Sequence, residues 1–265
     1  MKIYRIMDDD SGASVGTLLY YENSRAFIIE LVEGLDEWTA PLLLTAFVKK
    51  GILTIPRNIS ELWVRERVIP ADRQNIGAIL SNHRLKTYDE IKLLELSEGR
   101  CCQDSLYIQR IEELPDYVVE RQKTNLVECL VAEAGYLLCF FADHTSRKIY
   151  AQELAHLEGM NKVLKNMPLF LSGRVGMGGY FLTFDNTYDV PAADLYRMGA
   201  QIPLGLEDMI LFVHRNVYDT SQSCEELDCS RQNVDYLVKQ GLITPVKKDV
   251  KGKLFLKSDV QRVEW

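Results

Sequence analysis

The chain has 265 residues, 47% of them hydrophobic and 26% charged, a balance that permits two folded domains and excludes wholesale disorder. Its formal net charge is −7, which excludes a polyanion-binding surface spread over the whole molecule, so any such contact has to be local. The first ten residues, ending in Asp8-Asp9-Asp10, lack the apolar core of a signal peptide, and no run approaches the ~20 apolar residues that span a bilayer. The strongest, 126–142, is interrupted by Glu128, Glu133 and Gly135. A cytoplasmic protein without a membrane partner is expected.

Taken in chain order, residues 2–7, 14–21 and 25–32 alternate as strands, with turns at Asp9-Asp10-Ser11-Gly12 and Glu22-Asn23-Ser24. Asp36 then caps an expected helix that carries Trp38, Leu42, Leu43, Phe47 and Val48 and stops at Gly51. Helical patterns recur over 59–69, 71–80 and 88–96, and a strand follows at 105–111. Beyond residue 115, 126–132 and 136–142 read as buried strands, 152–166 as a helix, 180–184 as a strand, and 191–198 and 206–215 as helices. No Gly-, Ser- or Pro-rich linker divides 1–115 from 116–218. Residues 1–218 are therefore read as one acidic α+β body of mixed antiparallel sheet and short helices, with a possible subdivision near 115.

Residues 219–265 stand apart. Asp219 and Gln222 have capping-box spacing at a helix start, Cys224 and Leu227 fall on one face, and Asp228-Cys229 makes a turn into a second helix capped by Ser230. On that helix Val234, Leu237 and Val238 face inward, which leaves Arg231, Gln232, Asn233, Tyr236 and Lys239 outward. Gly241 stops it, and 246–256 reads as a hairpin with a lysine-rich tip at Lys247, Lys248, Lys251 and Lys253. Between Arg231 and Arg262 eight Lys and Arg stand against three Asp. Over 219–265 as a whole the charges cancel, but the acidic groups cluster on the first helix and the basic ones on the second helix and hairpin.

The run from Leu227-Asp228-Cys229-Ser230 through Tyr236-Leu237 and Gly241-Leu242 to Phe255-Leu256-Lys257-Ser258-Asp259-Val260 resembles the winged helix-turn-helix of the excisionase and MerR-like superfamily. The resemblance implies a second helix in the DNA major groove and a wing along the phosphates. It assigns Ser230, Arg231, Gln232, Asn233, Tyr236 and Lys239 to the helix side of a double-stranded DNA contact, and Lys247, Lys248, Lys251 and Lys253 to the backbone. MerR-type regulators usually carry an arginine before an aromatic pair on this helix; this chain has Asp235 before Tyr236 and Leu237, nearer to the excisionase-like branch. In residues 1–112, strands followed by short helices and closed by Gly99-Arg100-Cys101-Cys102-Gln103-Asp104-Ser105-Leu106-Tyr107-Ile108 resemble the N-terminal lobe of HipA-type toxin kinases. The matching kinase lobe is missing: there is no phosphate-binding loop followed by Lys and no Asp-bearing catalytic motif.

Other constellations carry little chemistry. The glycine-dense Ser172-Gly173-Arg174-Val175-Gly176-Met177-Gly178-Gly179 fits neither a dinucleotide fingerprint nor a P-loop and reads as a turn before a strand. Asp143-His144 and His156 have no third ligand in register, and the six cysteines form no Cys-x-x-Cys pair with a matching partner. Trp38, Trp63 and Trp265 are expected in core or interface. No cofactor, metal or enzymatic activity is expected. The sequence points to a DNA-binding regulator, of transcription or of mobile-element recombination, working as a homodimer on paired half-sites. Two alternatives remain: a protein-docking adaptor or toxin–antitoxin component, and a body that senses a small effector and is coupled to the DNA module.

Overall fold

The computed structural model describes residues 1–204, 206–250 and 252–263, and only the backbone of 206, 207, 249 and 250. The expectations for Lys251 and Trp265 lie outside the described residues. The chain is α+β, and every strand pairing among the described residues is antiparallel. It divides into two compact units, Met1–Val119 and Glu120–Trp265.

In the first unit β1 (Lys2–Asp8), β2 (Ser14–Tyr21) and β3 (Ala26–Leu31) form a meander. After α1 (Thr45–Lys49), β4 (Thr54–Ile55) adds to β3; α2 (Arg57–Arg65), α3 (Ile76–Asn82) and α4 (Glu90–Leu96) follow, and β5 (Leu106–Ile111) adds to β1, giving the order β4-β3-β2-β1-β5. Period-2 alternation puts Tyr4, Ile6, Leu18, Phe27 and Ile29 on one face, where they pack with Trp63, Val64, Ile91 and Leu94. The helix expected from Asp36 to Gly51 is a correction. Asp36 Oδ1 accepts the N–H groups of Trp38 and Thr39 (2.9 Å each) and so caps only a turn. Pro41 has no N–H to continue a helix, leaving a 3₁₀ turn at Leu42–Leu44 and then α1. Trp38 is 86% exposed, whereas Trp63 is buried.

In the second unit α5 (Asp116–Gln122), within which the division falls, precedes β6 (Leu126–Ala132), β7 (Tyr136–Phe141) and β8 (Ser146–Tyr150). The helix expected over 152–166 is broken: Leu157 is extended and Gly159 has φ +77°, which separates a 3₁₀ segment, Ala151–His156, from α6 (Met160–Leu164). After α7 (Met167–Leu171), β9 (Arg174–Val175), β10 (Phe181–Phe184) and β11 (Tyr188–Pro191) make a small sheet in the order β11-β10-β9. Next come α8 (Ala192–Met198), β12 (Ala200–Gln201), which extends the larger sheet to β12-β8-β7-β6, and α9 (Leu206–Asn216). Leu126, Leu137, Phe141, Phe170, Leu182 and Phe184 anchor the core of this unit.

The glycine-dense stretch is a close-approach device. Gly179 sits at φ +72°, and a Cβ there would lie 2.0 Å from the Leu126 carbonyl oxygen; one at Gly176 would lie 2.2 Å from the Phe181 ring. These positions let a 3₁₀ turn, Met177–Gly179, press against β6 and β10. No helix among the described residues is long and apolar enough to cross a membrane.

Candidate nucleic-acid interface

The C-terminal elements are β13 (Val217–Asp219), α10 (Thr220–Glu226), α11 (Arg231–Lys239), β14 (Pro245–Val250), β15 (Gly252–Leu256) and α12 (Lys257–Arg262). Asp219 caps α10 with a complete capping box: its Oδ1 accepts from Gln222 N–H (2.8 Å), and Gln222 Oε1 accepts from Asp219 N–H (3.0 Å). Asp228 takes the left-handed conformation (φ 44°) in the turn. Ser230 Oγ then accepts from Asn233 N–H (3.4 Å) at the start of α11, so the Ser230 hydroxyl is engaged in capping.

Val234 and Leu237 are buried in a small core with Ile243, Phe255 and Val260; Cys224, Leu227 and Val238 are partly buried against it. Burial holds the Cys224 thiol above its ordinary range, and nearby Cys229 adds to this. Glu226 braces the underside, accepting from Tyr218 OH (3.1 Å) and Gln261 Nε2 (2.8 Å).

With the apolar stripe inward, Arg231, Gln232, Asn233, Tyr236 and Lys239 are all exposed. Arg231 Nη2 donates to Ser221 Oγ (3.2 Å), which steadies the guanidinium beside α10. The first turn of α11 therefore presents a guanidinium and two carboxamides to solvent, in successive directions about 100° apart around the helix. Behind them β14 and β15 form a hairpin, and β13 joins its other edge in the order β13-β15-β14. Lys247 and Lys248 are exposed on β14. Lys253 is placed differently: its Nζ is ion-paired to Asp235 on α11, and its N–H donates to Thr220 Oγ1 (3.2 Å) on α10. The Lys253 ammonium holds the Asp235 carboxyl below the usual range. The hairpin is thus fastened to both helices, and the one acid in the middle of α11 has its own counterion.

The chain matches no protein-family model, no curated protein and no solved structure. What these residues can do therefore follows from their chemistry.

One residue that holds the site in place escaped sequence reasoning. Glu128 on β6, which reads as an interruption in an apolar run, is 3% exposed. Its Oε1 accepts from Cys129 N–H (2.9 Å) and Asn216 Nδ2 (3.0 Å), and its Oε2 accepts from Ser258 N–H (3.1 Å) at the start of α12. Asn216 Nδ2 also donates to the Cys129 carbonyl (2.9 Å), and Ser258 Oγ to the Val127 carbonyl (3.0 Å). Burial pushes the Glu128 carboxyl up, against the pull of these hydrogen bonds. One carboxylate thus grips both ends of the segment that carries α10, α11 and the hairpin.

The remaining candidates resolve into local structure. Asp143 accepts from Thr145 N–H (2.9 Å), Thr145 Oγ1 (2.7 Å) and Tyr196 OH (2.7 Å), which outweigh partial desolvation and hold its carboxyl below the usual range. His144 occupies a left-handed turn position (φ 66°) beside it. Among the described residues no group of three or more His, Cys, Asp or Glu is placed to hold a metal ion.

Proposed function

We propose that residues 217–262 are a winged helix-turn-helix that reads duplex DNA, and that the protein is a sequence-specific regulator of transcription or of mobile-element recombination, acting as a homodimer. The observation that carries this reading is the first turn of α11, where Arg231, Gln232 and Asn233 are exposed together. An arginine pairs bidentately with guanine O6 and N7, and a carboxamide with adenine N6 and N7. Lys247 and Lys248 lie on the hairpin as phosphate ligands, where positive charge displaces condensed counterions. Lys253, with Asp235 as its partner, holds the hairpin at its angle to the helix.

The test is fluorescence anisotropy of the full chain against a random duplex library and the DNA flanking its gene, at two salt concentrations. Saturable, salt-sensitive binding that enriches one sequence is expected. Arg231→Ala or Asn233→Ala should cost about 1–3 kcal/mol and relax base preference, while Lys248→Gln should weaken all sequences alike and lower the salt slope by about one. Equal effects at the two kinds of position would overturn the groove assignment; no binding at low salt would move the module to the protein-docking class.

A second reading, a body that senses a small effector, draws on a cavity of about 160 Å³ lined in part by Gly173, Arg215, Asn216 and Lys257. It is smaller than the ~300–1,000 Å³ of drug-sized sites, so it suits only a small acid or ion. A metabolite-sized acid that shifts DNA affinity in the wild type and not in Lys257→Gln would support it.

A further inference from the structure

The six free cysteines fall into three pairs. Cys101 and Cys102 are neighbours in sequence, in a loop. Cys129 and Cys139 face each other across β6 and β7, where both are buried. Cys224 and Cys229 are each half-buried and flank the turn between α10 and α11, at the centre of the candidate interface. This last pair combines access to solvent with a backbone that sets the two thiols side by side.

The Cys224 carbonyl accepts from Cys229 N–H (3.0 Å), and inside that ring the Glu225 carbonyl accepts from Asp228 N–H (3.3 Å). With Asp228 left-handed at φ 44°, the two bonds make a Schellman motif that closes α10. Such a motif packs the side chain three positions before the C-cap, here Cys224, against that of the second residue beyond it, here Cys229. Both rest against the same small core. The 3.0 Å bond between their main chains keeps the Cα atoms within the about 4.4–6.8 Å that a disulfide bridges. The left-handed residue is usually glycine; with Asp228 there, the turn relies on these bonds and on the contact between the two cysteines. Arg231 lies beside them, its guanidinium bonded to Ser221 one turn back on α10. Burial and then Cys229 push the Cys224 thiol up, and the Arg231 charge pulls it part of the way back.

We propose that Cys224 and Cys229 are a thiol-oxidation site: they form a reversible disulfide that staples the turn between α10 and α11, by exchange with a small disulfide of the oxidised glutathione class. The Cys229 thiolate attacks one glutathione sulfur, forming a mixed disulfide and releasing the first glutathione as a thiolate that takes up the Cys229 proton. The Cys224 thiolate then attacks the Cys229 sulfur, breaks the mixed disulfide and releases the second glutathione, which takes up the Cys224 proton. Two protein thiols are oxidised, one glutathione disulfide is reduced to two thiols, and excess reduced glutathione runs both steps backward. The consequence for recognition rests on the DNA-binding reading of α11. Arg231 follows Cys229 by two residues, so a staple at 224 and 229 fixes the direction in which the first turn of α11 sets out. Ordering that no longer has to occur on binding tightens it, roughly 2–10-fold.

The full chain, folded, is incubated with oxidised or with reduced glutathione, quenched with iodoacetamide in urea, and digested without reductant. Cleavage after Arg215 and Arg231 leaves both cysteines in one peptide. In the oxidised sample that peptide should be unalkylated and lighter by two hydrogens, and cleavage after Glu225 or Glu226 should leave its parts joined until dithiothreitol is added. Both thiols alkylated as in the reduced control, or glutathione retained on Cys229, would overturn the proposal. Anisotropy should show the roughly 2–10-fold difference between the two forms, and Cys229→Ser should bind as the reduced wild type does, with or without oxidised glutathione. Equal affinities with the bridge in place, or a difference that persists in Cys229→Ser, would overturn the coupling to recognition. A bridge in a chain that binds no DNA in either form would sustain the oxidation site and sink the regulator reading; DNA binding by a chain in which no bridge forms would do the reverse.

Discussion

Removing the Glu128 side chain should loosen the C-terminal segment from the sheet that carries it. In Glu128→Ala, Cys129 N–H, Asn216 Nδ2 and Ser258 N–H all lose their carboxylate acceptor. Each orphaned buried donor costs ~1–3 kcal/mol, and water admitted to the vacated space recovers part of that, so a net loss of about 3–5 kcal/mol is expected. Glu128→Gln keeps the shape but turns an NH₂ donor toward one of the donor groups, while it removes a buried charge. These effects partly offset, leaving a loss of about 1–2 kcal/mol. The two variants also differ from wild type in pH dependence. Because burial raises the folded-state pKa of Glu128 above its ordinary 4.5, the folded chain holds a proton at pH values where the unfolded chain has released it. Its contribution to stability is greatest below 4.5, falls as pH rises from there through the raised folded value, and is a constant cost above it. Both variants should lack that component. Urea unfolding across this pH window, with amide exchange at Ser258 and along β15 and α12, measures all of these. A Glu128→Ala protein within ~0.5 kcal/mol of wild type, with unchanged exchange at Ser258, would refute the reasoning.

Other expectations follow from equally local features. Gly179→Ala would force a Cβ to within 2.0 Å of the Leu126 carbonyl oxygen at a positive φ and should cost roughly 3–5 kcal/mol in the unfolding of the second unit; a loss under ~1 kcal/mol would mean that the turn moves freely. Cys102 is exposed, while Cys129 and Cys139 are buried with their sulfurs 3.6 Å apart, and hydrogen bonding to Cys139 together with burial raises the Cys129 thiol. Iodoacetamide followed by peptide mass mapping should therefore label Cys102 in the native protein and the buried pair only after unfolding; rapid native labelling of Cys129 would contradict this. Asp235→Asn should free Lys253 and steepen the salt dependence of DNA binding by about one, whereas Lys253→Gln should change the slope less than Lys248→Gln. Identical slopes for the two lysine variants in anisotropy titrations would remove Lys253 from its positioning role.

Much of this architecture is legible wherever the signal is local. The alternation of Tyr4 with Ile6 and of Leu18 with Tyr20 marks a meander, and the Asp219–Gln222 and Ser230 caps with the Val234–Leu237–Val238 stripe locate α10 and α11 almost to the residue. Pro41 stands in plain view, but the helical spacing of Leu42, Leu43, Phe47 and Val48 outweighs it when read alone. Strand β8 is hidden because its only buried side chain is Ile149, too little for an alternation. Glu128 is hidden for a deeper reason: its partners lie 88 and 130 residues further along the chain, and no local pattern distinguishes a carboxylate that breaks an apolar run from one about which a module is assembled.

The pairing of β13 with β15, Val217 opposite Leu256, together with the shared grip of Glu128 on Asn216 and Ser258, brings the two ends of the intervening segment side by side. Such a segment is a cassette. Between positions 217 and 257 its sequence can be exchanged for another helix pair and hairpin without lengthening a linker, provided that the amide at 216, the residue at 258 and the contacts that Val260 and Gln261 make into the segment are kept. The exposed residues of that segment can then vary while the joint at Glu128 stays the same.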